Sequence, residues 1–346
     1  MTWPELLGAL TRGEEVELDR IRWAMREVMA GAASPAQIAA FVVALRMRGE
    51  RADQIAALVD VMLEFSERID AHGIALDTCG TGGDGAHTVN ISTMAAVLLA
   101  SAGVPIVKHG NRAASSKCGS ADVLEALGVR IDGDCDAAQR SFDVLSLTFC
   151  FAPVFHPALR FAGPTRRELG IPTVFNLLGP LANPAAPKAQ LVGVADLAKA
   201  PLIIEALRIR GTAALVVRGE DGLDEISIFA PTKIWATWLD EPVTMTTAEL
   251  GIGSHEAGAL AGGDASHNAS VARRLLDGAQ DADLAAARDA VVINAAFGAV
   301  AFDVARGHLP TDLQSAVTRH ARDLHAHLAS GAPGKLLDRW IEVTNR

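Results

Sequence analysis

The sequence predicts an α/β protein in which a small all-helical domain precedes a large α/β domain with a mainly parallel central sheet. Three observations predict it. The first 70 residues carry apolar stripes at helical spacing. From there on, short β-rich runs alternate with helical runs through brief connections, the pattern of a parallel sheet covered on both faces. The chain has 346 residues, half of them apolar and 21% charged, which excludes disorder and exceeds the ~150 residues of an average domain about twofold. The expected division is residues 1–70 for the helical domain, with a contribution from about 164–187, and residues 71–163 plus 188–346 for the α/β domain.

Each element has its local reason. Leu6, Leu7 and Leu10 form one apolar stripe, and Ile21, Met25, Val28 and Met29 a second. Ser34-Pro35-x-Gln37 supplies an N-cap, a proline at the first helical position and a capping-box partner for a helix running to Met47 before Gly49. A fourth helix is expected from about Asp53 to Ile69. Then follow a strand at IALDT, a helix from Ile91 to Ser101, a strand at VPIVK, a helix from Ala121 to Leu127, a strand at VRI, a helix after Asp136 and a strand at LTFCF. Between Pro153 and Pro187 one short helix is expected, with Thr165 and Glu168 spaced as a capping box and Gly170 as its stop. Alternation resumes with LVGVA, a helix from Ala198 to Ile209, and strands at AALVV, DEISI and KIWATWL. A long apolar helix from Asp283 to about Ala305 and two more helices close the chain.

Composition narrows the function. Lys and Arg number 31 against 41 Asp and Glu, and the net charge of −10 disfavours a surface built to neutralise nucleic-acid phosphates. Cys79, Cys118, Cys135 and Cys150 form no C-x-x-C pair, which reads as reduced thiols in a cytoplasmic protein. The N-terminus lacks the basic start and apolar run of a signal peptide. The longest uncharged stretch, Asn90 to Val107, is broken by polar residues, Gly103 and Pro105, and fits a buried helix, turn and strand better than a membrane span.

The most informative segment is Gly80-Thr81-Gly82-Gly83-Asp84-Gly85, between a strand and a helix, where backbone can approach an anion closely. Gly80, Gly82 and Gly85 match the spacing G-x-G-x-x-G, yet the next strand ends in Lys108-His109 rather than in the acid a dinucleotide ribose requires. Thr88, Asn90, Ser92 and Thr93 put short polar side chains at the helix start, where they either cap amides or join them in holding a diphosphate. A helix end contributes only ~0.3–1 kcal/mol to a charge, so a phosphate needs cations as well. Lys108, Arg112 and Lys117 provide them, in a loop that also holds His109, Asn111, Ser115, Ser116 and Ser120. Asp224-Glu225 pairs two carboxylates, either a solvated turn or the hard oxygen donors that Mg²⁺ accepts beside a phosphate. His325 and His327 lie two apart, on different helix faces, and His109 is the histidine placed at the site.

Four blocks, CGTGGDGAHTVNIST, KHGNRAASSKCGSADVLEALG, FAPVFHPALR to FNLLGPLANP, and GEDGLDEIS, together resemble the anthranilate phosphoribosyltransferase family, in order along the whole chain. The resemblance implies a nucleoside phosphorylase/phosphoribosyltransferase-type fold and a homodimer. It also implies Mg²⁺-dependent transfer of phosphoribose from phosphoribosyl diphosphate to the amine of anthranilate, in tryptophan biosynthesis. Carried over by resemblance, Gly80, Gly82, Gly83, Asp84, Thr88, Asn90, Ser92, Thr93, Lys108 and Ser120 bind phosphoribosyl diphosphate, with Lys108 and Asp84 as the catalytic pair. Ser92, Asp224 and Glu225 fall at the metal-associated positions, and Gly80, His109, Asn111 and Arg166 at the anthranilate site. Val89 and Pro172 depart from the family's usual aromatic and basic residues. Two other readings share the fold: a pyrimidine nucleoside phosphorylase, whose lysine loop runs Lys-x-Ser where this chain has Lys108-His109-Gly110-Asn111, and a non-catalytic nucleic-acid binder, which the acidic charge disfavours.

Overall fold

The computed structural model describes residues 1–113 and 117–346, so Ser115 and Ser116 of the basic loop lie outside the described residues. Four helices open the chain, α1 (Trp3–Thr11), α2 (Leu18–Met29), α3 (Pro35–Arg48) and α4 (Ala52–Glu64). The Ser34 capping box forms as expected, Ser34 Oγ accepting from the Gln37 amide and Gln37 Oε1 from the Ser34 amide. Helix α4 stops at Glu64, five residues short of the expected Ile69, because the Ser66 hydroxyl and amide both turn back to the Leu63 carbonyl and the Glu67 amide is taken by Phe155 O.

The α/β part holds a seven-stranded sheet in the order β3-β2-β1-β4-β5-β6-β7. Its strands are β1 (Leu76–Gly80), β2 (Ile106–Gly110), β3 (Leu147–Phe151), β4 (Ala189–Gly193), β5 (Ala213–Gly219), β6 (Thr232–Ala236) and β7 (Val243–Met245). The first five run parallel, and β6 and β7 add to one side antiparallel. Strand order reverses between β1 and β4, which makes their carboxyl ends the switch point where open α/β sheets bind ligands.

Between the strands lie α5 (Ile91–Ser101), α6 (Ser120–Ala126), α7 (Cys135–Leu145), and the short helices α8 (Ala152–Phe155), α9 (Gly163–Leu169) and α10 (Phe175–Leu178). They are followed by α11 (Ala200–Ile209), α12 (Ala265–Leu276), α13 (Ala285–Ala305), α14 (Leu313–Ala329) and α15 (Ala332–Thr344). The stretch 153–187 therefore holds two α-helices and 3₁₀ turns where one helix was expected. In α9, Pro164 starts the helix early, leaving Thr165 inside it rather than at its cap, while Gly170 stops it in the left-handed conformation as expected.

One face of the sheet packs on α5, α13, α14 and α15. Helix α13 is long and apolar enough to cross a membrane by composition alone, but 89% of its apolar window is buried inside the protein, as a core helix is. The opposite face shares a core with the N-terminal helices: Phe41 and Val59 lie in one cluster with Val192, Leu207 and Val216. Arg210 pairs with Asp60 across this contact, and Lys199 with the buried Glu50 at 2.9 Å.

Two expected strands do not form. Val129-Arg130-Ile131 joins no ladder, and the Arg130 amide is held by Thr344 Oγ1 instead. Asp224–Ile228 is also irregular, because side chains take the place of a neighbouring strand. Asn294 accepts from the Ile226 amide at 2.9 Å and donates to its carbonyl at 3.2 Å, and Thr232 Oγ1 accepts from the Ser227 amide.

Candidate active site

The site is assembled on the carboxyl ends of β1, β2 and β4. Strand β1 ends at Gly80 and β4 at Gly193, side by side in register. The Asp224 loop lies directly on both ends. A Cβ at Gly80 would sit 2.5 Å from Asp224 Oδ2, and one at Gly193 would collide with the Asp224 backbone carbonyl. Beyond β1, Gly82 and Gly83 take φ of 67° and 84°, the left-handed region that only glycine enters without strain. The Gly82 amide donates to Asp224 Oδ2 at 2.7 Å, which ties the glycine loop to the acidic pair, and Asp84 Oδ1 accepts from the Ala86 amide.

Helix α5 starts beneath this loop. Asn90 stands at its N-cap position without capping it; its side chain instead donates to Cys118 O at 3.2 Å and accepts from Asn268 Nδ2 at 2.8 Å. The Ser92 amide donates to Glu225 Oε1 at 3.2 Å, and the Thr93 hydroxyl is buried with no hydrogen-bond partner among the described residues. The positive end of the α5 dipole thus already faces a carboxylate, the polarity that also favours an anion there.

Lys108, on β2, is 2% exposed. Its ammonium donates to Thr78 O and to Ser92 Oγ at 3.3 Å, so it lies under the start of α5 rather than in solvent. Burial pushes the carboxyls of Asp224 and Glu225 above the usual carboxylate range, and repulsion from Asp84 and between the two acids adds to it. Such a pair gains from a cation. Two adjacent carboxylates are hard oxygen donors of the kind Mg²⁺ takes, one or two at a time, beside water and phosphate oxygens.

On the other flank, Ser120 begins α6 and its hydroxyl donates to Asn111 O at 3.3 Å. His109 is buried, with Nδ1 bonded to Gly179 O at 3.2 Å and Nε2 without a partner among the described residues. Burial, followed by the neighbouring His156, lowers its pKa to about 3, so the ring is neutral. Arg166, on α9, is half-buried with its guanidinium 5.1 Å above the Phe175 ring. It has no carboxylate partner among the described residues, and burial lowers its pKa. Thr88 is turned into an isolated bridge with Ala261, at the edge of the loop.

Hydrogen bonds and close approaches therefore join Gly80, Gly82, Ser92, Lys108, Asp224 and Glu225 into one unit. Asn111 and Ser120 form a second, and Arg166 packs on Phe175 of α10, the helix before the turn that His109 holds through Gly179 O; among the described residues no hydrogen bond or ion pair joins Arg166 to either unit. Sequence reasoning missed the support of that turn. Asp77 accepts from the His109 amide and from Asn183 Nδ2, Asn183 also donates to Val107 O, and His156 Nε2 bonds Ala182 O at 2.8 Å. Burial raises Asp77 to about 6 despite the pull of Lys108. It also missed residues 260–262, whose backbone pairs with His87 and Val89 and closes the glycine loop from outside.

Residues 72–332 match the Glycosyl transferase family α/β domain, and residues 4–66 the helical bundle domain of the same family. Among curated proteins, an anthranilate phosphoribosyltransferase of Acidothermus cellulolyticus is 48% identical over 99% of this chain and 95% of its own length. That of a Nocardioides species is 46% identical over 100% and 99%. The crystal structure of anthranilate phosphoribosyltransferase from Thermus thermophilus superposes with a TM-score of 0.89 at 38% identity, covering 98% of this chain and 99% of that one. The enzyme from Saccharomyces cerevisiae in complex with PRPP and Mg has the same fold, with a TM-score of 0.87 at 24% identity over 99% and 98% of the two chains. By these likenesses the chain belongs to the anthranilate phosphoribosyltransferase family.

Proposed function

We propose that this chain transfers the phosphoribosyl group of phosphoribosyl diphosphate to the amine of anthranilate, releasing diphosphate, in tryptophan biosynthesis. The observation that carries the reading is the convergence of the α5 start, the glycine loop, buried Lys108 and the Asp224–Glu225 pair on the ends of β1 and β4.

In this reading Gly82, Gly83, Asp84, Thr88, Asn90, Ser92 and Thr93 surround the diphosphate and ribose, with Ser120 beside them. Asp224 and Glu225, with Ser92, hold Mg²⁺, which supplies charge neutralisation on the leaving diphosphate. The C1–O bond to diphosphate breaks as the C1–N bond to the arylamine forms, and the proton that the nitrogen then loses passes to the released diphosphate or to water. Anthranilate is a weak nucleophile, so departure of diphosphate sets the barrier, and fixed charge at the leaving group lowers it. Lys108 contributes a permanent positive charge under Ser92, whose hydroxyl it orients. On the acceptor side, the Arg166 fork suits both oxygens of a carboxylate, with Asn111, His109 and Gly80 beside it. Neutral His109 donates through Nδ1 to Gly179 O and its Nε2 is buried, which suits holding the turn after α10 in place rather than acting as a general base.

The domain division at about residue 70, with the mid-chain return at 164–187, homodimerisation and cytoplasmic location complete the proposal. Mixing the protein with phosphoribosyl diphosphate, Mg²⁺ and anthranilate tests it. Anthranilate fluorescence falls if the reading is right. A protein that leaves it unchanged but phosphorolyses thymidine is a nucleoside phosphorylase instead.

A further inference from the structure

Asn268 stands on α12, away from the strand ends that carry the site, and is 2% exposed. An asparagine costs helix propensity relative to alanine, and a buried amide is unfavourable unless both its ends find partners. Here both do. Asn268 Oδ1 accepts from the Gly263 amide at 2.8 Å, and its Nδ2 donates to Asn90 Oδ1 at 2.8 Å. Asn90 Nδ2 in turn donates to Cys118 O at 3.2 Å, and the Cys118 thiol donates weakly to Asn90 Oδ1 at 3.5 Å.

The direction of this relay is fixed at both ends. A backbone N–H only donates and a backbone carbonyl only accepts, so Gly263 sets which end of the Asn268 amide it meets, and Asn268 Nδ2 with Cys118 O sets the amide of Asn90. A lone asparagine can offer a ligand either its oxygen or its nitrogen. Asn90 has its oxygen committed, and one N–H of its Nδ2 has no partner among the described residues. An N–H suits a phosphate, whereas a carbonyl oxygen repels it. The relay also ties three segments together: Asn90 opens α5, Cys118 lies just before α6, and Gly263 follows residues 260–262, which bond the backbone of His87 and Val89.

We propose that Asn268 is a positioning residue for donor binding: without touching the donor, it holds the Asn90 amide with its nitrogen towards the phosphates. This rests on the reading that Asn90 contacts phosphoribosyl diphosphate.

A double-mutant cycle in the whole chain tests it, with the affinity for phosphoribosyl diphosphate and Mg²⁺ read by calorimetry and the KM for each substrate by anthranilate fluorescence. Asn268→Ala should weaken donor affinity about tenfold and raise the donor KM to match, with the KM for anthranilate unchanged. In an Asn90→Ala background the same substitution should change donor affinity by less than about twofold, whereas a role in packing alone would give equal losses in both backgrounds. Asn268→Asp keeps the volume and the bond to Gly263 but, ionised, cannot donate to Asn90. Its loss of donor affinity should likewise shrink in the Asn90→Ala background, and it carries the test if Asn268→Ala does not fold. Additive losses, or wild-type donor affinity in the Asn268 variants, overturn the proposal and leave the transfer reaction standing. Wild-type donor affinity in Asn90→Ala would instead remove Asn90 from the donor site, and this proposal with it.

Discussion

Replacing Arg166 by alanine separates a role in acceptor binding from a role in the fold, because the first lowers activity and the second lowers the melting temperature. Its guanidinium makes no ion pair among the described residues and rests 5.1 Å over Phe175. A cation–π contact of this kind is worth ~0.5–1 kcal/mol, and the partial burial that lowers the Arg166 pKa offsets it. Losing the side chain should therefore move the melting temperature by less than about 3 °C. Activity should fall much further. A charge-assisted bond to the anthranilate carboxylate is worth ~1.5–3 kcal/mol, about tenfold to a hundredfold in kcat/KM for anthranilate. The KM for phosphoribosyl diphosphate should stay unchanged, and Arg166→Lys, which keeps the charge without the fork, should fall between. Steady-state kinetics with each substrate varied in turn is the assay. Unchanged acceptor kinetics in Arg166→Ala would refute the assignment.

Other outcomes follow from the same geometry. Asp224→Asn with Glu225→Gln removes two buried acids that repel each other, so without metal the double variant should melt at or above the wild-type temperature while losing its activity response to Mg²⁺. A wild-type metal response in a Mg²⁺ titration would contradict the site. Gly193→Ala forces a Cβ into the Asp224 carbonyl, an overpacking cost of ~1–3 kcal/mol that must displace the acidic loop. A drop in melting temperature and a weaker KM for phosphoribosyl diphosphate are expected, and wild-type values for both would show that the loop yields freely. His156 is neutral in the fold, its pKa lowered to about 4 by burial against ~6.5 unfolded. Its contribution is thus complete above pH 6.5 and is lost as pH falls towards 4, at up to ~1.4 kcal/mol per pH unit. Urea titrations from pH 7.5 to 5 should show the stability gap between wild type and His156→Gln moving in the variant's favour, and a constant gap would contradict a neutral His156.

Much of this was legible in the sequence, and the exceptions have a common cause. Ile91–Ser101, the Ser34 capping box and β3 declared themselves through local pattern, since short-range periodicity and caps decide helices and buried strands. Asp224–Ile228 has the alternation of a strand, yet Asn294, nearly seventy residues away in the chain, takes its backbone bonds. No local window contains that information. Residues 260–262 went unread for the same reason, since they are held by backbone bonds to His87 and Val89, whereas α12 carries a local signal, the Asp264 N-cap before buried Ala269, Ala272 and Leu276, that was overlooked. The glycine and lysine blocks pointed to an anion because their chemistry is contiguous. Asp77, His156 and Asn183 gave no signal, because their partners are far away in the chain: Asp77 accepts from the His109 amide and the Asn183 side chain, Asn183 donates to Val107 O, and His156 bonds Ala182 O.

The central claim is that donor and metal meet at the ends of β1 and β4. Crystals soaked in phosphoribosyl diphosphate and Mg²⁺ test it most directly. Density for the diphosphate over the amides of residues 82–93, with the ion against Asp224 or Glu225, is the predicted result. Donor bound at another place, or an ion held by neither acid, would contradict the account.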